Sequence, residues 1–224
     1  MSLYNQDKET EEIVSRWTEK NIFNKTNFEG EYIREDSARA QKSGVDIILK
    51  SNELFGDEKY HTVDEKSATN YIRTNLKEDN IHTFAFEIDY KNRNNEKRNE
   101  GWLFGNQFAN TEYYLISWIW ANVSKDKRGF GIKTEVTMDN ILKARLFLIN
   151  KERIHHYLEN FKVTKNNFMR VSERIRHLDE TKKVISKSNN RTPNVQYSEH
   201  LEEKPVNVII SEHNLRELST KIWE

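Results

Sequence analysis

Apolar residues in this chain fall into short runs of strand length, set apart by long polar stretches, and this pattern limits the fold more than any other feature. Gly44-Val45-Asp46-Ile47-Ile48-Leu49 is a β-branched run typical of a buried strand. After a turn at Gly56-Asp57, residues 61–68 (HTVDEKSA) resume as a second strand, and residues 83–88 (TFAFEI) form the clearest one. Residues 102–104 and 113–120 complete a strand-rich half. Two further runs end on a helix cap. Residues 144–149 lead through Asn150 into a helix over 151–160, and residues 206–210 lead through Ser211 into a helix over 212–222. Strands mixed with helices in this way predict an α/β fold.

The remaining stretches fit around that frame. Ile13, Trp17 and Ile22 recur at helical spacing over 6–23, whereas 24–43 is polar and irregular. Residues 68–76 suit a short helix and 91–100 a hairpin loop. Over 166–178, Phe168, Val171, Ile175 and Leu178 make one apolar helix stripe, with Arg170, Arg174 and His177 on another face. Residues 186–205 hold both prolines and suit a mobile connection. The expected organisation is a core over 1–135 and a smaller α/β extension over 136–224 packed on it.

Hydrophobic residues are 35% of the chain and charged residues 32%, so five Trp, nine Tyr and eleven Phe must supply much of the core. There is no cysteine, which excludes disulfides and cysteine-based zinc sites and fits a reducing compartment. The longest apolar stretch, 113–121, is too short for a membrane helix, and the first residues lack a signal-peptide pattern. The expectation is a soluble cytoplasmic protein. Net charge is zero but unevenly spread: residues 162–191 carry nine basic and three acidic groups, and residues 1–36 five basic and nine acidic. No Walker, Rossmann or nucleophile-elbow pattern is present.

The chain holds five acid-x-Lys triplets, at 57–59, 64–66, 89–91, 180–182 and 202–204. Only Asp64-Glu65-Lys66 lies in an expected strand that follows another strand with its own acid, Asp46. Residues 64 and 66 share one strand face and Glu65 takes the other. Antiparallel pairing would bring Asp46 to the same face. Two carboxylates at close quarters repel unless a cation joins them, and oxygen donors suit Mg²⁺ or Mn²⁺. The plainer alternative is a turn aspartate and an exposed Asp64–Lys66 ion pair worth little. Glu87 and Asp89 form a second acidic pair whose expected role is solvated or structural, the alternative being an extra ligand. His155 and His156, being adjacent on a helix, cannot share one ion; Gly129-Phe130-Gly131, flanked by Lys127, Arg128 and Lys133, suits a hairpin turn, the alternative being an approach to a phosphate backbone.

Gly44-Val45-Asp46 followed by Val63-Asp64-Glu65-Lys66 resembles the PD-(D/E)xK nuclease superfamily, over about residues 30–120. Val45 stands where the namesake motif has proline. The resemblance implies a restriction-endonuclease-like core with a central mixed β-sheet flanked by helices, plus the small C-terminal α/β portion. It implies Asp46, Asp64 and the main-chain carbonyl of Glu65 as metal ligands and Lys66 as the catalytic lysine. A glutamate from the first helix often joins such sites, here Glu11 or Glu12. The expected function is a Mg²⁺- or Mn²⁺-dependent deoxyribonuclease, in restriction, repair or mobile-element defence, with DNA as partner and a homodimer admitted. Lys165, Arg170, Arg174 and Lys182 are the expected nucleic-acid contacts. The alternative is a catalytically inactive nuclease-fold protein that binds nucleic acid or assembles with partners; a third reading makes 162–191 a docking segment for an acidic protein.

Overall fold

The computed structural model describes residues 3–25, 28–37, 40, 42–92, 97–177, 183–184 and 192–224. Helix α1 (Leu3–Thr18) continues into a π-helical turn at Glu19–Phe23. It is followed by β1 (Glu31–Arg34), β2 (Ile47–Lys50), the short helix α2 (Asn52–Phe55) and β3 (His61–Ser67). Next come β4 (Thr83–Lys91), β5 (Arg98–Glu100), β6 (Tyr113–Ala121), β7 (Ile141–Asn150), α3 (Lys151–Glu159) and α4 (Phe168–Arg176). The chain closes with β8 (Lys183–Val184), β9 (Asn194–Tyr197), β10 (Val206–Ser211), α5 (Glu212–Leu218) and β11 (Ser219–Trp223).

The strands form two sheets, one of six in the order β1-β2-β3-β6-β7-β11 and one of five in the order β5-β4-β10-β9-β8. In the larger sheet β3 and β6 run parallel and the other neighbours antiparallel, so the central sheet is mixed. The α/β expectation therefore holds at this level. Segments 1–135 and 136–224 both contribute strands to each sheet.

Strand alternation divides the apolar residues between two faces of the larger sheet. Ile47, Leu49, Val63, Leu115, Leu146 and Leu148 pack on one side with Phe23 and Trp17 from the first helical segment. Tyr114, Ile116, Trp118, Phe147 and Ile149 face the other way, toward Phe84, Phe86, Ile88, Val208 and Ile210 of the second sheet. Trp118 ties the layers by donating from Nε1 to the Thr83 carbonyl at 3.0 Å. Both expected caps form: Asn150 accepts from the amides of Glu152 and Arg153, and Ser211 from that of Asn214.

Four expectations need correction. The helix over 212–222 stops at Leu218, and residues 219–223 turn back as β11 along β7, where Ser219-Thr220-Lys221-Ile222-Trp223 suits an edge strand. Within the irregular stretch 24–43, Glu31–Arg34 pairs with β2 as an edge strand, alternating between exposed and half-buried residues. Within the expected connection 186–205, Asn194–Tyr197 pairs with β10. Of the expected helix over 68–76, only a 3₁₀ turn at Thr69–Tyr71 forms.

Candidate functional site

Asp46 lies one residue before β2, and the Ile47–Val63 register sets it opposite Asp64. Its Oδ2 accepts the Glu65 amide at 2.8 Å, while its own amide donates to the Val63 carbonyl at 3.0 Å. Asp64 is 1% exposed, and Lys66, two residues on, donates to its Oδ1 and to the Glu65 carbonyl, the latter at 3.2 Å. Asp64 Oδ2 has no hydrogen-bond partner among the described residues. The Lys66 ammonium also stands 5.6 Å from the Trp102 ring centre. The Glu65 side chain goes to the opposite sheet face, where Ser15 of α1 and Arg34 of β1 bind its Oε2. The structure thus brings Asp46, Asp64, Lys66 and the Glu65 carbonyl together and leaves the Glu65 carboxylate outside the group.

Gly44 makes room for this arrangement. Its φ is 72°, in the left-handed region, and a Cβ there would stand 2.7 Å from Thr111 Oγ1 and 3.4 Å from Asp64 Oδ2.

Electrostatics separates the acids. Burial, opposed by Lys66 but reinforced by Asp46, pushes Asp64 up to about 8. Glu11 of α1 is pushed up to about 7, first by burial; Lys66 opposes this and Asp7 and Asp46 add to it, while the Ser67 amide donates to the Glu11 carboxylate. Glu12 is instead paired with Arg16 in solvent. Of the two candidates on the first helix, Glu11 is therefore the one beside the cluster. Glu87 is pushed up to about 8, by burial and Glu203 against the pull of Lys66. Of the solvated and structural roles expected for Asp89, the structure has the structural one: it is fully buried, with Arg98 Nε and Arg176 Nε each 2.8 Å from its carboxylate.

The group offers oxygen donors of the kind a hard divalent ion takes. An orphaned carboxylate oxygen, a second acid beside it and an adjacent main-chain carbonyl fit such an ion. The set holds two carboxylates and one carbonyl, and among the described residues no cluster of three or more His, Cys, Asp or Glu side chains has metal-binding geometry. No helix among the described residues is long and apolar enough to cross a membrane.

Helix α4 buries Phe168 and Ile175 and leaves Arg170 and Arg174 exposed, with Lys165 exposed just before it. Leu178 and Lys182 lie outside the described residues. Arg176 is drawn inward to Asp89, so it belongs to the core network and not to the basic surface. His155 stacks on Phe104 at 4.8 Å and its Nε2 lies 2.9 Å from the Leu103 carbonyl, whereas His156 is solvent-exposed. Residues 125–131 form a turn with Gly129 at a φ of 86°.

Sequence reasoning missed Lys151, the first residue of α3. It is 5% exposed, and burial pushes its amine down to about 8 against the attraction of Asp64. The available signal was Asn150, a cap directly after an apolar strand, which fixes the next residue at the strand's buried end. No family model, curated protein or solved structure matches this chain.

Proposed function

We propose that this chain is a metal-dependent nuclease of the PD-(D/E)xK kind that hydrolyses phosphodiester bonds of DNA. The observation that carries the reading is the meeting of Asp46 and Asp64 across paired strands, with Lys66 reaching Asp64 from the same strand face. Glu11, supplied by the first helix, supports it.

Asp46, Asp64 and the Glu65 carbonyl would hold Mg²⁺ or Mn²⁺, which when bound supplies Lewis acidity at the scissile phosphate. Asp46, latched to the Glu65 amide, keeps its carboxylate oriented toward the group. Lys66 offers an ammonium to the charge that builds on phosphorus in the transition state. Glu11, with a value near neutrality, is suited to accept a proton from an attacking water. Restriction, repair and mobile-element defence are settings in which such chemistry serves.

One observation favours a second reading. Lys66 occupies the Asp64 oxygen and the Glu65 carbonyl, two of the donors a metal would need, and this suits a nuclease-like fold that binds nucleic acid without cutting. Incubation of linear and supercoiled DNA with Mg²⁺, Mn²⁺ or chelator separates the readings. Metal-dependent cleavage by the parent, lost in Asp64→Asn, is the expected result. Salt-sensitive binding with no cleavage under any metal would establish the second reading.

A further inference from the structure

A buried lysine stands behind the candidate site. Lys151 opens α3 where β7 ends, and its ammonium donates to the Phe108 carbonyl at 2.7 Å and lies 5.9 Å from the Tyr114 ring. Tyr114 is the β6 partner of Asp64, so Lys151 and Asp64 share a sheet face. An ammonium has three donors, and its burial is costly when few are used. The Lys151 side chain borders a cavity of about 220 Å³, walled also by Phe104, Thr111, His155, Thr164 and Lys165. Thr111 Oγ1 donates to the Gly44 carbonyl at 2.7 Å, beside the unpartnered oxygen of Asp64.

We infer that this cavity is a phosphate subsite, in which Lys151 holds a non-reacting phosphoryl group of the nucleic-acid strand being cut; this rests on the nuclease reading above. Two cationic side chains and the Thr164 hydroxyl select an oxyanion over a cation or an apolar group. Two carboxylates also border the cavity, but both stand in solvent. Glu152 is 82% exposed with its Oε1 3.5 Å from His155, and Glu159 is 56% exposed and 3.3 Å from His156, so water screens them. Thr164 and Glu159 also line a wider surface cleft with Lys162, Arg170 and Arg174. A strand laid along α4 would thus meet the cavity of Lys151 where the cleft joins it at Thr164 and Glu159. The depressed value of Lys151 agrees, because a bound oxyanion restores the ammonium that burial disfavours.

The test uses the full chain without metal, so it does not depend on cleavage. Calorimetry measures inorganic phosphate binding, and fluorescence anisotropy measures one oligonucleotide with and without terminal phosphates, for the parent, Lys151→Met and Lys165→Gln. Lys151→Met should abolish phosphate binding and weaken the oligonucleotide on the order of tenfold or more, as loss of a charged hydrogen bond does. A loss confined to the phosphorylated strand assigns the subsite to a strand end, and an equal loss for both assigns it to an internal phosphodiester. Lys165→Gln, altered only at an exposed side chain, should weaken phosphate binding severalfold and decides the matter if Lys151→Met fails to fold. Parent-like affinities in the folded variants, or no phosphate binding by the parent, overturn the inference. Metal-dependent cleavage that persists beside parent-like affinities would leave the nuclease reading standing. Lys151-dependent phosphate binding by a chain that cuts nothing would do the reverse.

Discussion

The Asp46 carboxylate accepts the Glu65 amide at 2.8 Å, which fastens the acid at the head of β2 to the middle residue of the acid-x-Lys triplet on β3. Asparagine can keep that hydrogen bond through its amide oxygen but not the charge. Asp46→Asn should therefore fold like the parent and lose at least about a hundredfold in metal-dependent cleavage, the scale on which a preorganised charged group contributes. Lys66→Ala should lower kcat by a similar factor with little change in Mn²⁺ affinity. DNA nicking rates and Mn²⁺ titrations check both. Parent-like cleavage by Asp46→Asn would reduce this residue to a structural acceptor.

A second prediction concerns pH. Asp64 is raised from 3.8 to about 8, so the folded state holds its proton more tightly than the unfolded chain does. The associated stability is fully present below the unfolded value and is lost as pH rises from about 4 to about 8. Glu11 and Glu87, raised to about 7 and about 8, act in the same direction. Asp64→Asn should match the metal-free parent near pH 4 and exceed it by several degrees in melting temperature at pH 8. Mn²⁺ should narrow the gap by stabilising only the parent. A variant less stable than the parent at pH 8 would favour a plain Asp64–Lys66 ion pair.

Gly44 supplies a third. Alanine there meets two penalties, a φ of 72° and a Cβ 2.7 Å from Thr111 Oγ1. Gly44→Ala should cost roughly 1–3 kcal/mol in urea denaturation. Gly56 has a similar φ of 74° but open space around it, so Gly56→Ala should cost less. Equal losses would mean that backbone strain alone, without the crowding near Asp64, sets the effect at Gly44.

What the sequence disclosed follows from how local each feature is. Asp46, Asp64 and Lys66 were legible because strand alternation fixes which side chains share a face, and their spacing leaves room for two strands and a turn. Glu11 and Glu12 could not be separated, since adjacent helix residues point about 100° apart and only docking of α1 decides which one faces Lys66. β11 was misread because Leu215, Leu218 and Ile222 continue a helical spacing, and the preference for a strand comes from the free edge of β7, far away in sequence. For Lys151 the cap at Asn150 marks the position but not the burial: at a helix start a lysine ordinarily faces solvent, and its burial depends on the segment carrying Phe108.

The fourth prediction is a contrast with the site acids. Asp89 is fully buried between Arg98 and Arg176, which are 24% and 7% exposed in their side chains. Removing it would strand two guanidinium groups, so Asp89→Ala should cost about 3–5 kcal/mol. Asp46→Asn and Asp64→Asn should not. Chemical denaturation of the three variants, without metal, would show whether Asp89 belongs to the scaffold.

The last concerns α4 as a path for substrate. Arg170 and Arg174 are one helical turn apart, both exposed, and they border the cleft that Thr164 and Glu159 join to the cavity at Lys151. Phe168 and Ile175 anchor the helix in the core between the sheets, so the two arginines are presented from a fixed platform. Contacts of this kind bind phosphates and carry no sequence information, and each one lost lowers the slope of log affinity against log salt by about one unit. Arg170→Ala with Arg174→Ala should therefore reduce the slope by about two units and weaken unrelated DNA sequences alike. Among the described residues neither arginine forms a core contact comparable to that of Arg176 with Asp89, so the melting temperature should stay at the parent value. Anisotropy isotherms at several salt concentrations test this directly. An unchanged slope, with unchanged affinity, would remove α4 from the substrate path and leave its basic face as solvated surface.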